Sequence, residues 1–200
     1  MWGNSLFASG YSVSFDRYNG TVEPIMISPT NLIDVTAGRA IWNTFIGLIN
    51  ALLVFVVAEL MFHTGMSLVN PLLFFAMLIM TLGSLACLGL IFSALFVWTR
   101  KSSTIFAILE FPIYILSGAM VPASMLPSAM TYVSYVLPPS WGVDAMKLAA
   151  IGDYSGAIGT DILVNIIIMV LLMVVCALIA AYMFKVIERN VRMTGSITRY

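Results

Sequence analysis

The chain has 200 residues, with 9 basic and 9 acidic side chains and a formal net charge of zero. Hydrophobic residues make up 61% of it, charged residues only 9%, and the mean hydropathy is +1.02. Soluble domains average about 45–50% hydrophobic residues and about 25% charged residues. Because so few charges cannot cover a water-facing surface, most of the chain must face lipid or other membrane helices. This composition excludes a soluble enzyme, a disordered tail and a nucleic-acid-binding protein, which needs a basic face.

The stretch 16–39 precedes the first long apolar run and carries signals for a turn and for helix ends. Asn19-Gly20 is a typical turn dipeptide, Thr21 is a suitable cap for a short helix, and Pro29 ends that helix. A second helix is expected to begin one or two residues later. Two interpretations stay open for this stretch: an amphipathic elbow on the membrane surface, or a short helix presented to a cytoplasmic partner.

Four apolar runs are long enough to cross a bilayer, which takes about 20 apolar residues per helix. They are residues 40–62, 71–98, 103–121 and 162–184. The sequence therefore predicts an all-α, polytopic membrane protein with four transmembrane helices plus a broken, re-entrant helical segment. A cytoplasmic segment, 1–39, is followed by a transmembrane domain, 40–200.

Small side chains recur along the second predicted span at spacings of three and four residues. This face consists of Gly83, Ala86, Cys87, Gly89, Leu90, Ser93 and Ala94. Small side chains let helix backbones approach each other closely in lipid. The face predicts packing within the chain, and a subunit interface is the alternative.

The third predicted span carries a carboxyl group and a proline close together. Glu110 lies seven residues beyond Ser103, about 10 Å along the helix and inside the hydrocarbon. A carboxylate facing lipid is costly there, so Glu110 is expected to face the bundle interior or a hydrated cavity. Pro112 removes a backbone hydrogen-bond donor two residues later. Glu110 either lines a transport route or gate, or it holds two helices together.

An apolar segment between the third and fourth spans is broken repeatedly by proline and glycine. Gly118, Pro122 and Pro127 interrupt it, and residues 123–136, about 14 in number, are too few to span a membrane. Broken backbone at membrane depth is tolerated only where protein or water satisfies it, and such helices often line a transport route. The segment 122–160 is therefore predicted to be re-entrant, with a membrane-hugging external loop as the alternative.

The basic residues predict the orientation of the spans, because cytoplasmic loops are enriched in Lys and Arg. Eight of the nine fall on the side of the N-terminal segment: Arg17, Arg39, Arg100, Lys101, Lys185, Arg189, Arg192 and Arg199. The opposite side has Lys147 alone. Residues 1–39 and 185–200 are therefore predicted to be cytoplasmic, and 63–70 and 122–160 to be external.

The sequence offers no pattern for catalysis or for metal binding. It contains no GxxxxGK[ST] phosphate loop, no GxSxG elbow and no CxxC pair. The single histidine, His63, falls in a short predicted external loop, and Cys87 and Cys176 lie in apolar runs, where a thiol behaves as a small hydrophobe. The chain is therefore predicted not to be an enzyme and to hold no metal.

Three stretches of the sequence, in this order, resemble the permease subunit of a type-2 ATP-binding-cassette (ABC) exporter. They resemble the family's cytoplasmic coupling segment, its broken fifth helix and the external helix before its last span. The residues are Arg17-Tyr18-Asn19-Gly20-Thr21-Val22-Glu23 with Ser28-Pro29; Phe111-Pro112, Ser117-Gly118-Ala119, Pro122 and Leu126-Pro127; and Leu137-Pro138-Pro139-Ser140-Trp141 with Asp144-Ala145. The family usually has six membrane helices, and residues 1–15 resemble the end of its second.

The resemblance implies roles for two sets of residues. Coupling to an ATPase would rest on Arg17, Tyr18, Gly20, Thr21, Glu23 and Pro29. The translocation route or gate would contain Glu110, Pro112, Ser117, Gly118, Pro122 and Pro127.

The resemblance also implies partners and a mechanism. Two permeases, either copies or paralogues, would sit in the cell membrane on separate ATPase subunits that hold ATP and Mg²⁺, while this chain binds no cofactor. ATP binding would move the coupling segments, and alternating conformations would release a hydrophobic or amphipathic cargo outward. Two other classes stay open: a non-transporting assembly or immunity factor, and a secondary transporter, which more often has several ionisable groups near the midplane.

Overall fold

The computed structural model describes residues 15–16, 18–20, 31–62, 69–98, 108, 111–122, 125–152 and 161–194. These residues form helices and connecting turns and contain no strand, which confirms the all-α fold class for this part of the chain. The helices are α1 (Leu32–Phe62), α2 (Pro71–Trp98), α3 (Ser128–Val136), α4 (Pro138–Ile151) and α5 (Ile162–Thr194). A shorter helical stretch covers residues 111–116.

Three helices of the described residues are long and apolar enough to cross a membrane. They cover Leu32–Phe62, Pro71–Leu95 and Ile162–Arg189, and they contain or closely match the predicted spans 40–62, 71–98 and 162–184. Of the third predicted span, 103–121, residues 103–107, 109 and 110 lie outside the described residues, and the continuous helix in its described part covers only 111–116. The described part of the chain therefore supports three spans and does not confirm four.

Helix α1 begins in the predicted cytoplasmic segment and continues without a break to Phe62. Asn31, just before the helix, donates a side-chain hydrogen bond to Asp34 (Nδ2 to Oδ2, 3.2 Å), and a carboxylate in the first turn interacts favourably with the helix dipole. The 31 residues of α1 span about 46 Å, more than the roughly 30 Å of a hydrocarbon core. The first turns of α1 therefore extend beyond the apolar run that predicted it.

The directions of the three long helices follow from one hydrophobic cluster. Leu32 at the start of α1 packs with Ala94 near the end of α2 and with Phe184 and Ile187 of α5. Helices α2 and α5 are therefore parallel to each other and antiparallel to α1. The start of α1 and the ends of α2 and α5 lie at the same end of the bundle, as the predicted alternating topology requires.

Helix α2 is the central element, because it packs against α1, α4 and α5. Its small-residue face is used within the chain: a Cβ added to Gly83 would lie 3.9 Å from Sδ of Met173 in α5. Ser93 and Ala94 on the same face are fully buried. These contacts support the prediction of packing within the chain for Gly83, Ser93 and Ala94.

Candidate functional site

The helical stretch 111–116 ends at the Ser-Gly pair that the sequence singled out. Ser117 donates its backbone N–H to the carbonyl of Ile113 (2.9 Å), and Gly118 donates to Ile115 (3.2 Å), which closes the last turn. Gly118 has φ +75°, a backbone conformation that side chains with a Cβ rarely adopt. The chain then turns away from the helix axis at this glycine.

Two serines from later helices satisfy the carbonyl of Leu116, at the end of this stretch. Ser134 of α3 donates its hydroxyl to the Leu116 oxygen at 2.5 Å, and Ser140 of α4 donates to the same oxygen at 3.3 Å. The last carbonyls of a helix have no donor within the helix, and in an apolar bundle an unmet acceptor is costly. These hydroxyls therefore join α3 and α4 to the end of the broken helix.

Two ionisable side chains of α4 lie against Gly118. Lys147 donates from Nζ to the Gly118 carbonyl at 2.6 Å. Asp144, one turn earlier in α4, is only 1% exposed, and its Oδ1 would lie 3.8 Å from a Cβ placed on Gly118. We name the set Leu116, Gly118, Ser134, Ser140, Asp144 and Lys147 the polar junction.

Helix α4 carries three of the six residues of the polar junction and is buried in the bundle along most of its length. A Cβ added to Gly142 would lie 2.8 Å from Sδ of Met169 in α5 and would overlap the hydroxyl of Thr81 in α2. Glycine is therefore required where α2, α4 and α5 meet. At the other end of α4, the backbone N–H groups of Val69 and Asn70 donate to its last carbonyls at 3.3 and 3.1 Å.

These contacts place α4 beside the first half of α2 and antiparallel to it. The end of α4 lies at the level of Asn70, and Gly142 lies at the level of Thr81, which is 11 residues or about 16 Å farther along α2. Leu137, just before α4, packs against the cluster of Leu82, Leu85 and Ile113. The polar junction therefore lies inside the bundle, beside the first half of α2.

The corner between α3 and α4 is fixed by aromatic side chains. Trp141 donates from Nε1 to the carbonyl of Tyr135 at 3.0 Å, and the two rings are 5.9 Å apart. Pro138 occupies the first turn of α4, where its missing N–H removes no helical hydrogen bond. The fixed corner holds Ser134 and Ser140 close enough to share one acceptor.

A second polar contact lies at the other end of the bundle, near the predicted coupling segment. Asp16 is 4% exposed and forms an ion pair with Arg39 in the first turns of α1. Tyr18 is 89% exposed, and Gly20 has φ +70°. The described part of this segment thus combines a buried anchor on α1 with an exposed turn.

Comparison with known protein families identifies the class of protein to which this arrangement belongs. Residues 3–182 match the family model described as ABC-2 family transporter protein. The chain belongs to this family. No curated protein and no solved structure matched the chain.

The ABC-2 permease brings together only some of the residues predicted for its route or gate. Ser117 and Gly118 form the break at the polar junction, and Pro112 lies at the start of the short helix that ends there. Pro122 and Pro127 belong to the connection into α3, where Pro127 directly precedes the helix. Glu110 lies outside the described residues.

The predicted coupling residues of the permease divide in the same way. Tyr18 and Gly20 are described, and Gly20 forms the turn that Asn19-Gly20 predicted. The other four, Arg17, Thr21, Glu23 and Pro29, lie outside the described residues.

Sequence reasoning did not assign Ser134 or Lys147 to the site. Lys147 carried a usable signal, because it is the single basic residue on the predicted external side, and a lone charge in an apolar segment needs a partner. Ser134 carried no such signal, since a serine in a short helix more often bonds locally. The sequence analysis also did not predict the Asp16–Arg39 pair. The signal available was that this chain has few charged residues, so a buried acidic side chain needs a basic partner.

Proposed function

We propose that this ABC-2 permease is the membrane subunit of an ATP-driven exporter that moves a hydrophobic or amphipathic cargo out of the cytoplasm. Its ATPase would be a separate polypeptide that holds ATP and Mg²⁺. The family match supports the transporter class. The observation that carries the proposal further is the polar junction, a helix break within an apolar bundle. Broken helices inside membranes occur where a protein satisfies the freed backbone groups and commonly line transport routes.

The polar junction would act as the external gate. Ser134, Ser140 and Lys147 hold the carbonyls of Leu116 and Gly118, so opening the route past this break requires these hydrogen bonds to exchange for others. Each is individually modest in free energy, about 0.5–1.5 kcal/mol for neutral donors. A set of such bonds is strong enough to close a gate and weak enough to reopen in each cycle.

The rest of the predicted route would lie before this gate along the third span, at Glu110 and Pro112. The burial of α4 between α2 and α5 supports the re-entrant interpretation of 122–160 over a loop on the membrane surface. The basic-residue asymmetry supports a cell-membrane protein with residues 1–39 and 185–200 in the cytoplasm.

Coupling would pass from the ATPase to the spans through the segment 17–29. Asp16 precedes this segment and is paired with Arg39 of α1, so a movement of the segment would be transmitted to the first long helix. Two permeases, copies or paralogues, would each present one such segment to one ATPase subunit. The exposed Tyr18 side chain is available for that contact.

Two matched glycine substitutions test the coupling step. Gly20 and Gly38 both have open space where a Cβ would lie, but only Gly20 has a positive φ. Gly20→Val should therefore distort the turn, at a cost of about 1–3 kcal/mol, whereas Gly38→Val adds the same bulk to a regular helix. We expect Gly20→Val to insert normally but to lose co-purification with the ATPase or stimulation of ATP hydrolysis.

Gly38→Val is expected to retain both properties. Full coupling in both variants would show that the segment is only a surface elbow. Failure of the unmodified permease to associate with any ATPase would instead favour a non-transporting membrane factor.

A further inference from the structure

A line of exposed side chains runs along one face of α5 and changes from apolar to basic near the end of the helix. Its members follow each other at three- and four-residue spacing, which keeps them on one face of a helix. Leu171 and Arg189 are 18 residues apart, or five whole turns. The members are Leu171, Val174, Leu178, Tyr182, Lys185 and Arg189.

The polar end of this line lies at the depth where a membrane changes from hydrocarbon to headgroups. Lys185 directly follows the predicted span 162–184, and Tyr182 lies two residues inside that span. Arg189 lies about 6 Å beyond Lys185 along the helix. Tyrosine is enriched at the membrane interface, and long basic side chains place their charged ends among the headgroups.

The two basic side chains have no carboxylate partner among the described residues. Neither Lys185 nor Arg189 forms an ion pair there, whereas Arg39 of α1, at the same end of the bundle, is paired with Asp16. Glu188 is adjacent in sequence but half-buried, and it lies about 100° around the helix from Arg189. The exposed line therefore ends in two positive charges, one turn apart.

The apolar part of the line leads to a shallow groove on the same helix. Ile167, Val170, Leu171 and Val174 are among the residues that line it, and all of its lining residues are apolar. The nearer part of the groove, at Leu171 and Val174, lies about 16–21 Å from Lys185 along the helix. One leaflet of hydrocarbon is about 15 Å thick, so an acyl chain that starts at Lys185 reaches the groove.

We propose that this face of α5 binds an anionic phospholipid, with its phosphate at Lys185 and Arg189 and an acyl chain along Leu178 toward the groove. Arginine offers a phosphate two parallel hydrogen bonds, and lysine adds a compact positive charge. A zwitterionic lipid carries its own ammonium group beside the phosphate, so two basic side chains favour a lipid with a net negative charge. An acidic soluble partner would match the charges but not the apolar line that precedes them.

Lipid binding to the purified full chain tests the charge preference. Native mass spectrometry in detergent compares phosphatidylglycerol with phosphatidylcholine. We expect the unmodified chain to prefer phosphatidylglycerol by about 30-fold, or about 5-fold for each basic residue. Lys185→Gln combined with Arg189→Gln should abolish most of this preference.

A second pair of substitutions controls for total charge. Lys101→Gln combined with Arg199→Gln removes one lysine and one arginine elsewhere on the predicted cytoplasmic side and should leave the preference unchanged. An equal loss in both double variants would show a general effect of charge, and no loss at residues 185 and 189 would show that they do not bind lipid. Either result would overturn the inference.

Fluorescence quenching in vesicles tests where the lipid binds. In a chain with Cys87→Ala and Cys176→Ala, a fluorophore is attached at Leu178→Cys or, as a control, at Ile49→Cys on an exposed part of α1. The vesicles contain phosphatidylcholine with a minor share of phosphatidylglycerol, and one of the two lipids is brominated on its acyl chains. Brominated phosphatidylglycerol should be enriched around residue 178 and not around residue 49. Equal enrichment at both residues would contradict a site on α5.

The other occupant to be distinguished is the ATPase subunit of the proposed exporter. In vesicles of phosphatidylcholine alone, Lys185→Gln combined with Arg189→Gln should bind the ATPase as the unmodified permease does. Loss of that association with an unchanged lipid preference would assign the two residues to the ATPase and overturn the inference. Failure of the unmodified permease to bind any ATPase would count against the exporter proposal only, because lipid binding is measured on the permease by itself.

Discussion

Single side chains decide whether the broken helix has a defined end. The carbonyls of Leu116 and Gly118 lie at the end of the helix, where no backbone N–H of the same helix can bond to them. Side chains 18 to 29 residues later in the chain donate the hydrogen bonds instead. Two of the donors are neutral hydroxyls and one is the ammonium group of Lys147. Hydrogen bonds from charged donors are the stronger kind, so Lys147 is expected to contribute most to this contact.

Replacing Lys147 tests this expectation. Lys147→Met keeps the length and apolar stem but leaves the Gly118 carbonyl without its donor. We expect the free energy of unfolding in detergent to fall by about 1.5 kcal/mol, at the low end for charged donors because Lys147 is half-buried. Lys147→Arg should restore much of the loss. Lys185→Met, which removes an exposed lysine from α5, is the matched control and should change stability little.

At the scale of whole helices, the contact among α2, α4 and α5 depends on the absence of a side chain at Gly142. Thr81 and Met169 already fill the space that a Cβ would take. This close approach is what lets a helix as short as α4 lie inside the bundle. It also explains why α4 is buried on nearly all sides although it is not a membrane span.

Gly142→Ala is therefore expected to be destabilising, by about 1–3 kcal/mol or more, as for overpacked cores. Gly83→Ala provides the matched control, since its Cβ would meet Met173 at an ordinary 3.9 Å and should be tolerated. Adding Thr81→Ala to Gly142→Ala removes the overlapping hydroxyl and should recover part of the loss. Thermal unfolding in detergent measures all three. Equal stability of Gly142→Ala and Gly83→Ala would contradict the close packing.

The Asp16–Arg39 pair links the coupling segment to α1, and a double-mutant cycle measures that link. Arg39→Gln leaves the buried carboxylate of Asp16 without its partner. We expect a loss of about 1–3 kcal/mol, less than the roughly 3–5 kcal/mol of a fully buried pair, because Arg39 remains 39% exposed. Asp16→Asn combined with Arg39→Gln should lose less than Arg39→Gln alone. Additive losses in thermal unfolding would show that the two side chains are not coupled.

The limits of a helix could be predicted from the sequence where a residue such as proline marks the end of an apolar run. The limits of α2 agree with the run 71–98, which Pro71 opens at the first helical position. Helix α1 starts eight residues before its apolar run because Asp34 and Arg39 are compatible with a helix outside the hydrocarbon, and hydropathy alone does not register such turns. Proline and glycine patterns predicted the break at Gly118 for the same local reasons.

The partners across the break were not predictable. Ser134 and Lys147 bond to carbonyls 18 and 29 residues earlier in the chain, and no local pattern specifies which backbone acceptor a distant hydroxyl or ammonium group will meet. Their selection follows from the packing of α4 between α2 and α5, which brings the groups together. Tertiary packing, rather than local propensity, therefore determines the composition of the polar junction.

At the scale of the whole molecule, helix packing and the distribution of basic residues both distinguish the same end of the bundle. The start of α1 lies beside the ends of α2 and α5, and eight of the nine basic residues belong to the same predicted side. The two observations are independent, because one comes from apolar packing and the other from charge. Together they make a specific prediction of which ends of the helices face the cytoplasm.

Thiol labelling in intact cells tests that orientation. In a chain with Cys87→Ala and Cys176→Ala, Val69→Cys introduces a thiol at an exposed position just before α2, and Arg189→Cys introduces one at an exposed position near the end of α5. A membrane-impermeant reagent should label residue 69 from outside and should label residue 189 only after the cells are permeabilised. Removing Arg189 still leaves seven basic residues against one, so the substitution should not itself invert the protein. Labelling of residue 189 but not of residue 69 in intact cells would reverse the topology and would place the polar junction at the cytoplasmic side.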